Sequence, residues 1–268
     1  MNPRSVSVIV AAYNEGPNLI VALDRIITVL SAAENPLDFE LLVVDDGSSD
    51  ETPRALREYS AGKPGFVRVI THDVNQGLVA AMRTGCEAAS KPTIVYLDAD
   101  LSYEPSMVEK LLAAKAASGA SAAIASPYME GGQVAHVPFD RLLASRVANW
   151  ILSRCSGGKL STFTGMVRAY DTAVLQQLFT EQPVGEFNSW AIAALILADR
   201  PIVEVPAKLE WPPERYEAAS RLTFASLSRR AQLVVETASF LAKACRHSKS
   251  LKTGTLVLTG QPTRPYIS

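Results

Sequence analysis

Apolar residues in the first half of the chain fall into short unbroken runs, each followed by a longer stretch with helical spacing. Residues 5–12 (SVSVIVAA), 39–46 (FELLVVDD), 66–71 (FVRVIT), 93–100 (TIVYLDAD) and 121–126 (SAAIAS) are short, rich in β-branched residues, and show little alternation. Such runs read as strands buried on both faces, as in a parallel sheet covered by helices. Between them, residues 18–33, 48–61, 76–89 and 104–118 carry helical patterns. The alternation predicts an α/β fold, a Rossmann-like, mostly parallel open sheet flanked by helices, with ligands beyond the carboxyl ends of its strands.

The second half is less regular. Residues 130–140 (EGGQVAHVPFD) read as a loop, and 141–155 as an amphipathic helix. Residues 162–171 (TFTGMVRAYD) read as a turn entering a strand, and 173–179 and 189–198 as helices. Residues 201–211 (PIVEVPAKLEW) read as an edge strand, because Pro206 has no N–H to donate. Trp150, Trp190 and Cys86 are expected in the core, His72 at a strand end and His136 at the surface or on an acceptor side. The predicted organisation is one domain over residues 1–220, with halves of about 1–126 and 127–220. A C-terminal amphipathic helix over 221–247 and a mobile tail over 248–268 follow.

Composition adds two constraints. With 268 residues, 48% hydrophobic and 20% charged, the chain is long enough for a sizeable core. Its net charge of -1 hides an uneven distribution: from residue 218 onward eight basic residues face one acid, Glu236. A basic end suits phosphates or an anionic surface, or equally a solvated helical face. The three cysteines, Cys86, Cys155 and Cys245, suggest neither a disulfide framework nor a zinc site. A reducing, cytoplasmic compartment is expected, and any membrane contact would be peripheral, on the inner face. No nucleic-acid partner is expected.

Candidate chemistry enters through acids. Asp45 and Asp46 end the second predicted strand, Asp98 and Asp100 the fourth, and Asn14 and Glu15 lie just past the first. Acids after strands commonly cap the next helix, but three clusters on one sheet edge favour a site. Two carboxylates one residue apart offer hard oxygen ligands, suited to magnesium or manganese shared with a diphosphate. The turn AAYNEGPN lacks the G-x-G-x-x-G of a dinucleotide site, and no P-loop occurs.

Six segments in order resemble family 2 glycosyltransferases with a GT-A fold, particularly the dolichyl-phosphate and polyprenyl-phosphate sugar synthase branch. They are VIVAAYNE, LLVVDDGSSDET, NQGLVAAMRTG, VYLDADLSYEP, TFTGMVRAY and VEVPAKLEWPPERYEAASRL. The resemblance spans roughly residues 5–222. It departs from the family where Ala11 replaces a proline, where Pro127 stands near a usual arginine, and where Arg221 replaces a lysine.

The resemblance implies an inverting transfer from a nucleotide-diphosphate sugar, GDP- or UDP-linked, with Mg2+ or Mn2+ as cofactor. It implies donor contacts from Ala12, Tyr13, Glu15, Asp45, Asp46, Asp98, Ala99 and Arg168, and metal ligation by Asp98, Asp100 and Ser102. Asp100, Arg215 and Arg221 are the expected catalytic groups. Glu186 is the candidate base if the acceptor is an alcohol, whereas an already anionic polyprenyl phosphate needs little base. The leading acceptor is the lipid phosphate. The alternatives are a sugar, polysaccharide or small-metabolite hydroxyl, or a nucleotide-sugar binding protein without turnover. Leu222, Phe224, Leu227, Leu233, Val234 and Leu241 define an apolar stripe on the last helix. It would meet a membrane, the chain's own domain, or a second subunit in a homodimer.

Overall fold

The computed structural model describes residues 4–32, 36–63, 65–181, 186–213, 215 and 224–248. Nine strands are seen: β1 (Ser5–Ala12), β2 (Asp38–Asp45), β3 (Val67–Thr71), β4 (Thr93–Asp98), β5 (Ala122–Ser126), β6 (Gln133–Ala135), β7 (Arg168–Asp171), β8 (Ile202–Pro206) and β9 (Lys208–Glu210). The eight helices described are α1 (Asn18–Ser31), α2 (Thr52–Ala61), α3 (Leu78–Ala88), α4 (Met107–Ser118), α5 (Phe139–Cys155), α6 (Thr172–Thr180), α7 (Phe187–Leu197) and α8 (Phe224–Ser248). Seven strands form one sheet in the order β3-β2-β1-β4-β7-β5-β8. Pairing is parallel except at β7, which lies antiparallel between β4 and β5. The mostly parallel GT-A-type sheet expected from the sequence is therefore present, with helices on both faces.

The apolar runs form strands because both faces are covered. Val6, Val8 and Val10 of β1 join one core cluster with Leu19, Leu23, Ile26 and Leu30 of α1, whose spacing sets one helical stripe. Ile9 points to the other face, against α3. There Gly85 is required, since a Cβ would come within 2.5 Å of Ile9 Cγ2. Asp50 accepts the Thr52 N–H at 2.9 Å and so opens α2. Gly119 closes α4 in the left-handed region, at φ 64°. Helix α7 is apolar all round after Asn188 and Ser189 of its first turn, and is buried from Phe187 to Leu195.

Two local expectations are corrected, and for the last helix one of the open alternatives is seen. The segment 130–140 is not wholly loop, because β6 within it pairs with β9 in a separate two-stranded sheet. Trp190 is core, but Trp150 is 61% exposed on α5. The last helix lays its apolar side on α5 and α7, through Val234, Ala238 and the fully buried Leu241. Arg221, Leu222 and the expected tail lie outside the described residues, as does the side chain of Phe224. No helix among the described residues is long and apolar enough to cross a membrane.

Candidate active site

The strand order reverses between β1 and β4: from β1 the chain moves outward through β2 and β3, then returns to β4 on the other side. Such a switch point leaves a crevice beyond the carboxyl strand ends. Register brings the acids there, with Ala12 opposite Asp45 and Ala11 opposite Asp98. An open cleft of about 1260 Å³ lies at this edge, lined among others by Glu15, Asp98, Ala99, Asp100, Ser102 and Arg215. A smaller chamber of about 210 Å³ adjoins it across Asp98, Ser102, Trp211 and Arg215.

The turn after β4 shapes the acid pair. Leu101 adopts φ 51°, uncommon for a side chain of its size. The turn brings both the Ser102 N–H (3.0 Å) and its hydroxyl (2.8 Å) onto Asp100 Oδ1. Arg215 donates to Asp100 Oδ2 and, at 2.8 Å, to the Ser102 hydroxyl. Its guanidinium stacks over the Trp211 ring, 4.2 Å from the centroid. The Glu210 N–H donates to the Ser102 carbonyl at 2.9 Å, which ties β9 to the same turn.

Negative charge in the cleft exceeds the countercharge around it. Asp98 is pushed up to about 7, first by burial and then by Asp100 and Glu15, with Arg215 opposing. Glu15 is raised as well, chiefly by burial and next by Asp100. Among the described residues no group of three or more His, Cys, Asp or Glu side chains is arranged to hold a metal by itself. Two carboxylates and a hydroxyl short of positive charge fit a hard divalent cation that completes its shell with water and substrate phosphate.

The other candidates divide. Asp45 is fully buried; its Oδ1 accepts from the Ser48 N–H at 3.1 Å, and its Oδ2 has no protein partner. Asp46 has a structural occupation, accepting from the Gln76 and Gly77 N–H groups at 3.0 and 2.7 Å and meeting His72 Nδ1 at 2.7 Å. Gly47 follows at φ 70°, where a Cβ would come within 2.3 Å of the Val74 backbone. Tyr13 is half exposed beside the cleft loop, and Ala12 is buried in β1. Asn14 joins the first two loops: its N–H donates to the Ser48 hydroxyl, and its side-chain oxygen accepts from the Ser49 N–H, both at 2.9 Å.

Two candidates lie away from the cleft lining. Arg168 does not reach the cleft; it is fully buried, donating to the Tyr170 hydroxyl and to the Asn188 and Phe163 carbonyls. Glu186 does not line the cleft either. It caps α7, accepting from the Asn188 and Ser189 N–H groups at 3.0 and 2.9 Å.

Sequence reasoning missed Trp211 and the hydroxyl wall of the smaller chamber. Trp211 lines both cavities, and its position four residues before Arg215 in LEWPPER was the available signal. The wall joins Tyr128, Ser145 and Thr164, with Tyr128 donating to Ser145 at 2.9 Å. Asn149 fixes it from behind, donating to Thr164 at 2.9 Å and accepting from the Phe163 N–H at 2.6 Å. Separate short segments supply these hydroxyls, so no motif announces them.

The model for "Glycosyl transferase family 2" matches residues 7–179. A dolichol-phosphate mannosyltransferase of Pyrococcus furiosus is 39% identical over 53% of this chain and 39% of its own length. A polyprenol monophosphomannose synthase of Mycolicibacterium smegmatis is 33% identical over 64% of this chain and 63% of its own. The chain thus spans less than two thirds of both relatives. Among solved structures, glucosyl-3-phosphoglycerate synthase from Mycobacterium tuberculosis, crystallised with Mn2+, UDP and phosphoglyceric acid, shares the fold. Its TM-score is 0.60 at 20% identity, covering 89% of this chain and 78% of that one.

Proposed function

We propose, from the premise that this chain belongs to glycosyl transferase family 2, that it moves a sugar from a nucleotide-diphosphate donor to a polyprenyl phosphate with inversion. The observation that carries this reading is the acid-rich turn Asp98–Ser102 at the strand switch point, gripped by Arg215 and short of positive charge. The names of the two relatives, a dolichol-phosphate mannosyltransferase and a polyprenol monophosphomannose synthase, support the acceptor class.

Asp98 and Asp100, with the Ser102 hydroxyl beside them, would hold Mg2+ or Mn2+. The ion supplies charge neutralisation for the leaving diphosphate. Arg215 adds a fixed guanidinium at the same edge, suited to phosphate oxygens. Asp45, with its unpartnered Oδ2, and Tyr13 lie on the side of the cleft assigned to the base and ribose, GDP- or UDP-linked. An acceptor phosphate oxygen forms the new bond to the anomeric carbon as the bond to the nucleoside diphosphate breaks, so the configuration inverts. The attacking oxygen is already anionic, and no base is required. That agrees with the commitment of Glu186 to its helix cap. Such an acceptor puts the reaction at a membrane surface, and we take this to be the inner, cytoplasmic face expected from the sequence.

The test supplies labelled GDP- and UDP-sugars, Mn2+ and polyprenyl phosphate in detergent. Transfer of label to an organic-extractable, acid-labile product is expected. Label appearing only on water-soluble hydroxyls overturns the acceptor assignment. Donor binding with no turnover on any acceptor overturns the enzymatic reading.

A further inference from the structure

The apolar stripe of the last helix had three possible occupants, a membrane, the chain's own domain or a second subunit, and α8 turns Val234, Ala238 and Leu241 inward, where the helix packs on α5 and α7. Helix α5 presents an apolar face outward instead. Its exposed positions are Phe139, Leu143, Arg146, Val147, Trp150 and Arg154. At 100° per residue these fall on a single arc. The four apolar side chains are 77%, 50%, 47% and 61% exposed, a contiguous patch rather than scattered residues. The opposite face holds Ser145, Asn149 and Leu152, turned to the small chamber and the core.

The chemistry of the outer face identifies its occupant. Its exposed positions include two arginines and no acid, the half-buried Asp140 lying at its margin, and the Arg154 guanidinium lies 5.5 Å from the Trp150 ring centroid. Lys159 just beyond the helix is exposed, as are Arg229 and Arg230 on the adjoining α8. A second copy docked face to face on a two-fold axis would set arginine against arginine. Anionic headgroups neutralise them, while a tryptophan, a phenylalanine and two aliphatic side chains suit the boundary below the headgroups.

We propose that this face of α5 seats the protein on an anionic bilayer, with the helix axis in the membrane plane. The inference deepens the lipid-phosphate reading and rests on it for what is delivered there. The helix leads from the cleft rim, where His136 lines the cavity three residues before Phe139, past Ser145 in the smaller chamber wall. A lipid phosphate at the membrane surface thereby lies beside the acceptor side of the site.

The test is co-sedimentation of the full chain with phosphatidylcholine vesicles, with and without phosphatidylglycerol. Wild type is expected to bind the anionic vesicles, with affinity falling as salt rises. Trp150→Glu and Leu143→Glu are each expected to lose about tenfold or more in partitioning, and the paired Arg146→Gln, Arg154→Gln variant to lose the preference for phosphatidylglycerol. Circular dichroism and melting temperature serve as folding controls at these exposed sites. Wild type remaining free of anionic vesicles overturns the proposal, as does binding unaffected by either glutamate variant. A concentration-dependent dimer that Trp150→Glu dissolves, with vesicles unbound, overturns it in favour of self-association. Vesicle binding without lipid-linked product leaves this surface standing and removes the acceptor assignment alone.

Discussion

Glu40 and Asp98 are carboxylates on neighbouring parts of one sheet, at opposite edges, and the protein treats them oppositely. Glu40 lies near the start of β2. Burial would raise its pKa, but the Ser7 hydroxyl at 2.6 Å, the Ser90 N–H and hydroxyl at 2.6 and 2.8 Å, and Arg68 at 3.3 Å outweigh that and lower it. Asp98 ends β4, where burial and two further acids push it up to about 7. Near the amino edge the fold satisfies Glu40 with its own donors; at the carboxyl edge it leaves Asp98 short of countercharge. An acid left short of partners by its own fold is held for something else.

The largest effect expected from breaking this contrast is on turnover. Asp100→Ala should lower kcat by about a thousandfold or more and abolish metal-dependent nucleotide binding, while the melting temperature stays near wild type. Glu40→Ala should do the reverse. It leaves the proton of the buried Ser7 hydroxyl and the Ser90 N–H without their acceptor, and urea denaturation should show a loss of about 3 kcal/mol with normal activity in the surviving folded fraction.

The pH dependence sharpens the comparison because the two signs differ. Asp98 has a raised pKa, so between its ordinary 3.8 and about 7 the folded state holds a proton that the unfolded chain has released, and stability falls as pH rises through that window. Asp98→Asn should therefore stabilise the ligand-free protein by about 4 kcal/mol at pH 8, with the gain shrinking toward pH 4. Glu40 has a lowered pKa; its contribution is complete above its ordinary 4.5 and is lost as pH falls through the folded value. Thermal melts of both variants across pH read these opposite slopes. The smallest effect belongs to Ser102→Ala, which removes one hydroxyl from Asp100 and Arg215. A rise in donor KM of about threefold to tenfold is expected, read from initial rates.

The first five strands and four helices were legible because each apolar run is short, unbroken and punctuated by polar turns. The chain's own chemistry therefore states both their type and their burial. The three-residue strands β6 and β9 were not, since pairing between segments far apart in the chain creates them. The acid turn was legible because its residues are contiguous. The positions of Arg168 and Glu186 away from the cleft were not legible, because an arginine in a strand motif and a glutamate before a helix look alike whether they face a ligand or the protein's own backbone. Helix α5 has apolar residues on both faces, so periodicity alone could not tell that Leu152 goes inward and Trp150 outward.

The sequence by itself determined the order of the first five strands and four helices, the edge on which the acids collect, and the family. These follow from local periodicity and contiguous motifs. Only the tertiary structure decided which carboxylates are satisfied and which are left short of charge, which arginine reaches Asp100, and which helix face remains uncovered. Each depends on desolvation and partners supplied by residues distant along the chain, and no single stretch of sequence contains them.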